Sequence, residues 1–324
     1  MIRWGIVGAG NIAHSFAKDL ALVADNRLCA VGSRSLNKAS EFAETYGAEH
    51  AFGSYEELFK SDVVDVVYIA TPHTSHADLS IRAMDHNKHV LCEKPMGINS
   101  AEVKLMLDKA SEKKVFLMEA LWTRFNPTIK KVKQLIDDGE IGTIAYLKAD
   151  FAFYGLDRDE SGRVLNPHLA GGSVLDIGIY PIFLSYLLLG MPKTITAQAQ
   201  FHKTGVESQT AMIFEYENAQ ALLFSGLASN SEMKAEIAGS SGTLFINPRW
   251  HEASSYVLEK EGDSELFTLE KIGKGYTYEI EEVASCINNG RLESTLWSHQ
   301  NTRDLCTLLD TVREKAGIRF PFEL

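Results

Sequence analysis

The sequence predicts an α/β protein of two domains: an N-terminal doubly wound parallel sheet, then an α+β domain with a large, mostly antiparallel open sheet. Three observations carry this expectation. Over the first third, short apolar runs alternate with helix-spaced patterns, the signature of a parallel sheet covered on both faces. From Thr194 to Leu269 one strand pattern follows another, joined by short Gly, Asn or Ser connections that suit antiparallel pairing. At 324 residues the chain exceeds one ordinary domain.

Taken in order, Ile2 to Val7 is a short apolar run, and Asn11 to Leu20 places Ile12, Phe16 and Leu20 at helical spacing. An apolar run from Leu28 to Val31 precedes a helix from Leu36 to Tyr46. The run Val63 to Ala70 stops at Thr71-Pro72, and a helix through Leu79 and Ala83 leads to the strand His89 to Cys92. A helix from Ser100 to Lys113 and the run Val115 to Met118 complete the first domain, expected to span 1–121. The second, 122–324, opens with a helix from Asn126-Pro127 to Asp138, closed by Gly139 to Gly142. A helical segment from Gly172 to Leu189 comes next. Strands are expected at Ile195–Phe201, Thr210–Tyr216, Ala219–Ala228, Lys234–Ala238, Thr243–Ile246, Tyr256–Glu259 and Leu266–Leu269, with helices at Tyr276–Asn288 and Ser298–Lys315.

Composition narrows the function. Thirty-two basic against 43 acidic residues give a net charge of −11, which disfavours nucleic-acid and anionic-membrane partners. Cys29, Cys92, Cys286 and Cys306 form no CxxC pair and read as buried thiols rather than a disulfide or zinc framework. The chain starts without a charged segment leading into a cleavable apolar one, and its most apolar stretch, Ile177 to Leu189, contains Pro181 and is too short for a bilayer. A cytoplasmic location is the resulting expectation.

Gly8-Ala9-Gly10-Asn11-Ile12-Ala13 follows the first strand and opens the first helix. The first glycine permits a tight turn and the second lets backbone approach a pyrophosphate, while Ala13 allows close helix–strand packing. Free N–H groups at the helix start, including those of Asn11 and Ile12, favour phosphate. A dinucleotide is therefore expected. Where an NAD site carries Asp or Glu, the sequence reads Gly32-Ser33-Arg34-Ser35; Ser33 and Arg34 suit a 2′-phosphate, so NADP is expected, with NAD possible. Thr71, Pro72 and His73 end the third apolar strand and Glu93-Lys94-Pro95 ends the next, on the edge where open α/β sheets bind ligands. His73 and His76 suggest a metal only weakly, since no third or fourth ligand stands at suitable spacing; both are taken as cofactor-side residues, and no metal is expected.

These residues resemble the glucose–fructose oxidoreductase / inositol dehydrogenase / rhizopine-catabolism (Gfo/Idh/MocA) family over nearly the whole chain. The resemblance rests on the glycine turn at 8–13, Thr71-Pro72 with His76, His89 through Pro95, and Gly171-Gly172 leading to Asp176-Ile177-Gly178-Ile179-Tyr180. Many members place Asp and His four residues apart; Asp176 and Tyr180 here, with Met118 through Phe125, resemble the branch of dimeric dihydrodiol dehydrogenase and NADP-linked D-xylose dehydrogenase. It implies a Rossmann domain at 1–121 and a substrate-binding and oligomerisation domain at 122–324. It further implies that a hydride passes between nicotinamide and a carbinol of a sugar, polyol or vicinal diol. The i, i+4 spacing puts Asp176 and Tyr180 on one helix face. A phenol ionises near pH ~10, so a cation such as Lys94 would help Tyr180 exchange the hydroxyl proton; which of the two takes it stays open. Asp176 is expected to anchor a neighbouring hydroxyl.

Trp122, Phe151, Phe153, Trp250 and Tyr276 are candidate pocket walls, with Arg124 a candidate contact to substrate or cofactor. The segments 155–167 and 247–255 are expected to close the pocket. The exposed face of the second sheet suggests a homodimer, with a tetramer as the alternative. Two other functions are open: a non-catalytic cofactor-sensing regulator, and a redox-assisted glycosidase or lyase that retains NAD.

Overall fold

In a computed structural model that describes residues 1–323, the chain divides into two compact units. The first comprises residues 1–125 and 272–303, the second 126–271 and 304–324.

In the first unit the elements run β1 (Ile2–Val7), α1 (Asn11–Leu20), β2 (Asn26–Gly32), α2 (Leu36–Tyr46), β3 (His50–Phe52), α3 (Tyr55–Lys60), β4 (Val66–Ile69), α4 (His76–Asp85), β5 (His89–Glu93), α5 (Ser100–Lys113) and β6 (Leu117–Ala120). All six strands are parallel, in the order β3-β2-β1-β4-β5-β6. The order reverses between β1 and β4, and the carboxyl ends of those strands frame the crevice that such sheets use for ligands. Val66, Val67, Tyr68 and Ile69 are all fully buried, which a strand covered by helices on both faces requires. On one face Phe16 of α1 stacks on Tyr68, with ring centroids 3.8 Å apart. Sequence periodicity misses β3 and α3, whose six residues or fewer are too short to show a period.

The second unit contains α6 (Pro127–Asp137), β7 (Ile144–Ala152), α7 (Ile179–Leu189), β8 (Thr194–Phe201), β9 (Glu207–Glu215), β10 (Gln220–Gly226), β11 (Ala235–Gly239), β12 (Thr243–Ile246), β13 (Ser255–Lys260) and β14 (Asp263–Thr268). Its eight strands are ordered β14-β13-β12-β11-β7-β10-β9-β8, antiparallel throughout except for the parallel β7–β10 pair. The sequence reading assigns no strand to 144–152, yet β7 lies inside the sheet. Its alanines and the outward Lys148 and Asp150 dilute the β-branched signal on which strand recognition depends. All four cysteines are buried, and no disulfide forms among the described residues.

One further expectation is corrected. Residues 272–303, which hold α8 (Thr277–Asn288) and the start of α9 (His299–Ala316), belong to the first unit and not to a continuous 122–324 domain. The reason is local: the buried Asp19 carboxylate of α1 accepts the backbone N–H groups of Lys274, Gly275 and Tyr276 at 2.8–2.9 Å. The apolar stretch Ile177–Leu189 lies within Pro167–Leu189, a segment that passes for a membrane span by length and composition only; 78% of its most apolar window is buried, so it forms part of the core.

Candidate active site

In the first unit, β1 runs directly into Gly8, whose φ of +101° is a left-handed conformation that a side chain resists. A Cβ there would lie 2.9 Å from the Ala70 carbonyl oxygen, whereas one on Gly10 would meet nothing within 4 Å. The first glycine thus closes the turn against β4 and the second leaves open space. At the start of α1 no side chain caps the helix and no acidic residue occupies the first turn, so the N–H groups of Asn11 and Ile12 suit an anion. Beside this turn the buried Thr71 hydroxyl finds no hydrogen-bond partner among the described residues. Together the open cradle, the uncapped helix and the orphaned hydroxyl fit a dinucleotide pyrophosphate.

Gly32 ends β2, and no carboxylate occupies the turn that follows, Ser33-Arg34-Ser35. Ser33 is buried and its Oγ accepts the Ser35 N–H at 3.3 Å. Arg34 is exposed; burial pushes the nearby Tyr55 phenol up, and the Arg34 charge opposes that rise.

Lys94 sits on a turn held from three sides. The Glu93 carboxylate accepts the Lys94 N–H at 3.1 Å and the hydroxyl of the buried Tyr68. His76 is wholly buried, with Nδ1 2.8 Å from the Pro95 carbonyl oxygen and Nε2 2.9 Å from that of Thr71. Burial holds this imidazole below its usual range against the pull of both carbonyls. Glu119, raised by burial, accepts the Met96 N–H at 2.9 Å. His76 and Glu93 therefore orient backbone around Lys94; the His73 ring lies 5.7 Å from that of His76. Sequence reasoning misses Glu119, because nothing in its local sequence marks it as the anchor of a turn 23 residues away.

Trp122 stacks on Tyr276 at 4.9 Å, and both are nearly buried. The Arg124 Nε donates to the Leu296 carbonyl at 2.9 Å, which commits that side of the guanidinium to holding the 291–298 segment.

In the second unit a π-helical turn, Val174–Gly178, precedes α7 and carries Asp176; Tyr180 is the second residue of α7. Such widened turns concentrate at functional sites. The turn starts at Gly172, whose φ of +116° and lack of a Cβ make room for the Glu207 carboxylate. Glu207 accepts the Val174 N–H at 2.8 Å, capping the segment. Asp176 and Tyr180 are 7% and 5% exposed, and Arg163 pairs with Asp176 at 2.8 Å.

The walls differ from expectation. Trp250 is fully buried, with Nε1 donating to the Asp150 carbonyl at 2.8 Å, which makes it a brace for β7. Its neighbour His251 takes the place by Tyr180: it stacks on Phe151 at 4.2 Å and lies 5.3 Å from the Tyr180 ring. Phe153 is half-buried beneath the Arg158 guanidinium, 4.7 Å above its ring.

A nucleotide cradle beside a sheet switch point, followed by a buried Asp–Tyr helix, defines a nicotinamide-dependent oxidoreductase. The chain belongs to the Gfo/Idh/MocA oxidoreductase family: residues 2–121 match its NAD-binding Rossmann fold and 129–245 its C-terminal domain. It is 34% identical over 333 residues to trans-1,2-dihydrobenzene-1,2-diol dehydrogenase of Mus musculus, covering 99% of this chain and 98% of that one. It is also 34% identical over 326 residues to the NADP⁺-linked scyllo-inositol 2-dehydrogenase of Bacillus subtilis, covering 99% of both. Among solved structures, a 3-ketoreductase from Actinomadura kijaniata in complex with NADP and TDP-benzene superposes with a TM-score of 0.89 at 26% identity, over 97% of this chain and 98% of that one.

Proposed function

We propose that this protein is an NADP-preferring dehydrogenase or reductase acting on a CH–OH group of a vicinal diol, polyol or sugar. The observation that carries the reading is the pairing of Asp176 and Tyr180 on one buried helical segment, in a chain whose Lys94 turn is fastened by three buried polar side chains. The relatives named for diols and for inositol support the substrate class, and the NADP-bound ketoreductase supports the cofactor.

The nicotinamide supplies or accepts the hydride. Gly8, Gly10, Asn11 and Ile12 bind the pyrophosphate, and Ser33 and Arg34 the 2′-phosphate. Thr71, Pro72 and His73 line the nicotinamide end, with His76 and Glu93 orienting the backbone there. Lys94 donates a hydrogen bond to the carbinol oxygen, Tyr180 exchanges its proton, and Asp176 accepts from a neighbouring hydroxyl. Trp122, Phe151 and His251 offer flat faces to the carbon skeleton.

A substrate panel followed at the nicotinamide absorbance, run in parallel with both cofactors, tests this. Turnover is expected with diols or polyols, and Arg34→Ala should raise the KM for NADPH about 10- to 100-fold, the worth of a charge-assisted hydrogen bond, while sparing NADH. A native preference for NADH would overturn the assignment of Ser33 and Arg34. Tight NADPH binding without turnover of any panel member would favour a regulator.

We further propose that the protein is a homodimer formed through the second sheet. On its outward face Ile213 and Leu222 are direct cross-strand partners, each 40% exposed, with Ala211 and Phe224 in the adjacent row. An apolar centre of this kind invites a second copy. Light scattering is expected to give twice the chain mass, and Leu222→Asp to give the monomer; a monomeric wild type would refute the dimer.

A further inference from the structure

Asp176 is held by an arginine that no motif marks. Arg163 Nη1 donates to Asp176 Oδ1 at 2.8 Å, the carboxylate side chain being 9% exposed and the guanidinium 52%. Arg163 lies in the segment 155–167, and that segment is firmly seated against the start of the helix. The Gly172 N–H donates to the Val164 carbonyl at 2.9 Å, and the Gly171 N–H to that of Asn166 at 3.1 Å. Val164 and Leu165, immediately after Arg163, are 4% and 0% exposed. The arginine therefore projects from an anchored base, with little freedom of backbone to lose when it binds. A carboxylate this buried costs free energy unless it is bonded, and an arginine is the partner that fixes its plane as well as its charge.

We propose that Arg163 is a positioning residue for catalysis: it keeps the Asp176 carboxylate aimed, so that it meets the substrate as an oriented acceptor for the hydroxyl next to the reacting carbinol. Gly171 and Gly172 serve the same end by seating the loop that brings the arginine in. This rests on the role given to Asp176 above, and the test separates the two.

Wild type, Arg163→Ala, Arg163→Lys, Asp176→Asn and the Arg163→Ala/Asp176→Asn double variant are compared by kcat, KM, NADPH binding and thermal midpoint. Arg163→Ala is expected to lower kcat/KM about 10- to 100-fold, as a misaimed group does, with NADPH affinity unchanged. Added guanidinium should restore part of the loss, and Arg163→Lys should fall between the two. The double variant should be no slower than Asp176→Asn alone, because two residues acting as one unit are not additive. Additive losses, or an Arg163→Ala enzyme as fast as wild type, would overturn the proposal. So would a loss that tracks a falling thermal midpoint without guanidinium rescue, since the arginine would then be only a loop staple. An Asp176→Asn enzyme with full activity would instead remove the role of Asp176, and the proposal with it.

Discussion

Changing Tyr180 to phenylalanine is expected to leave a folded protein that binds NADPH while kcat falls about 10²- to 10⁴-fold, the usual worth of a positioned proton-transfer group. That loss corresponds to roughly 3–5 kcal/mol of barrier. The fold should not notice, for a geometric reason. The ring is 5% exposed and held by its faces and edges, with the Phe151 centroid at 5.4 Å and the His251 centroid at 5.3 Å. Phenylalanine keeps those contacts and removes one oxygen. Alanine, in contrast, would open a cavity worth about 3–5 kcal/mol and confuse chemistry with stability. Steady-state rates with a diol substrate, a cofactor titration and a thermal melt together decide the matter. Activity within a few-fold of wild type would take the proton from Tyr180 and leave Lys94 as its acceptor. Lys94→Met, assayed in the same way, then shows whether the lysine takes it.

The part of the proposed site in the first unit is legible because its constraints are local. Gly8 and Gly10 mark a turn that only small residues permit, and Lys94 stands before a proline at a strand end. Pockets built by long-range packing left weaker traces. Trp250 reads as a pocket wall, yet a short 3₁₀ turn puts its ring in the core and turns that of His251, which the sequence reading passes over, towards Phe151 and Tyr180. Nothing around Arg163 announces its bond to a residue 13 positions away, since a loop has no period from which to read a facing side. The same holds for the return of 272–303 to the first unit, whose anchors, Asp19, Trp122 and Arg124, stand far away in the sequence. In the second sheet β8, β9 and β10 follow alternation well. β7 escaped because its interior residues include alanines, which bury well and carry little strand preference.

Replacing Glu207 by glutamine is expected to make the protein more stable than wild type above neutral pH, and to remove a pH dependence that wild type shows between about pH 5 and 8. Glu207 opens β9 and is 1% exposed, and a Cβ on Gly172 would stand 2.2 Å from its Oε2. Burial pushes its carboxyl from the ordinary 4.5 up to about 7, although the Val174 N–H and the nearby Arg313 pull the other way. Between those two values the folded protein holds a proton that the unfolded chain has released. Its contribution to stability is therefore complete below the unfolded value and declines as pH rises through the folded one. The full cost of ionising it is roughly 3 kcal/mol, at about 1.4 kcal/mol for each tenfold change in the acid dissociation constant. Paired carboxylates such as Glu56, held down to about 2 by Arg82, Lys60 and His86, act at lower pH and in the opposite sense. Subtracting the variant from wild type removes them. Glutamine keeps an oxygen to accept the Val174 N–H, so the cap on the segment carrying Asp176 and Tyr180 survives and activity at pH 7 should change little. Denaturant melts of both proteins at half-unit pH steps measure the difference. A gap that stays constant from pH 5 to 8 would show that Glu207 is not titrating there, and that the helix start is held by a carboxylate with ordinary ionisation.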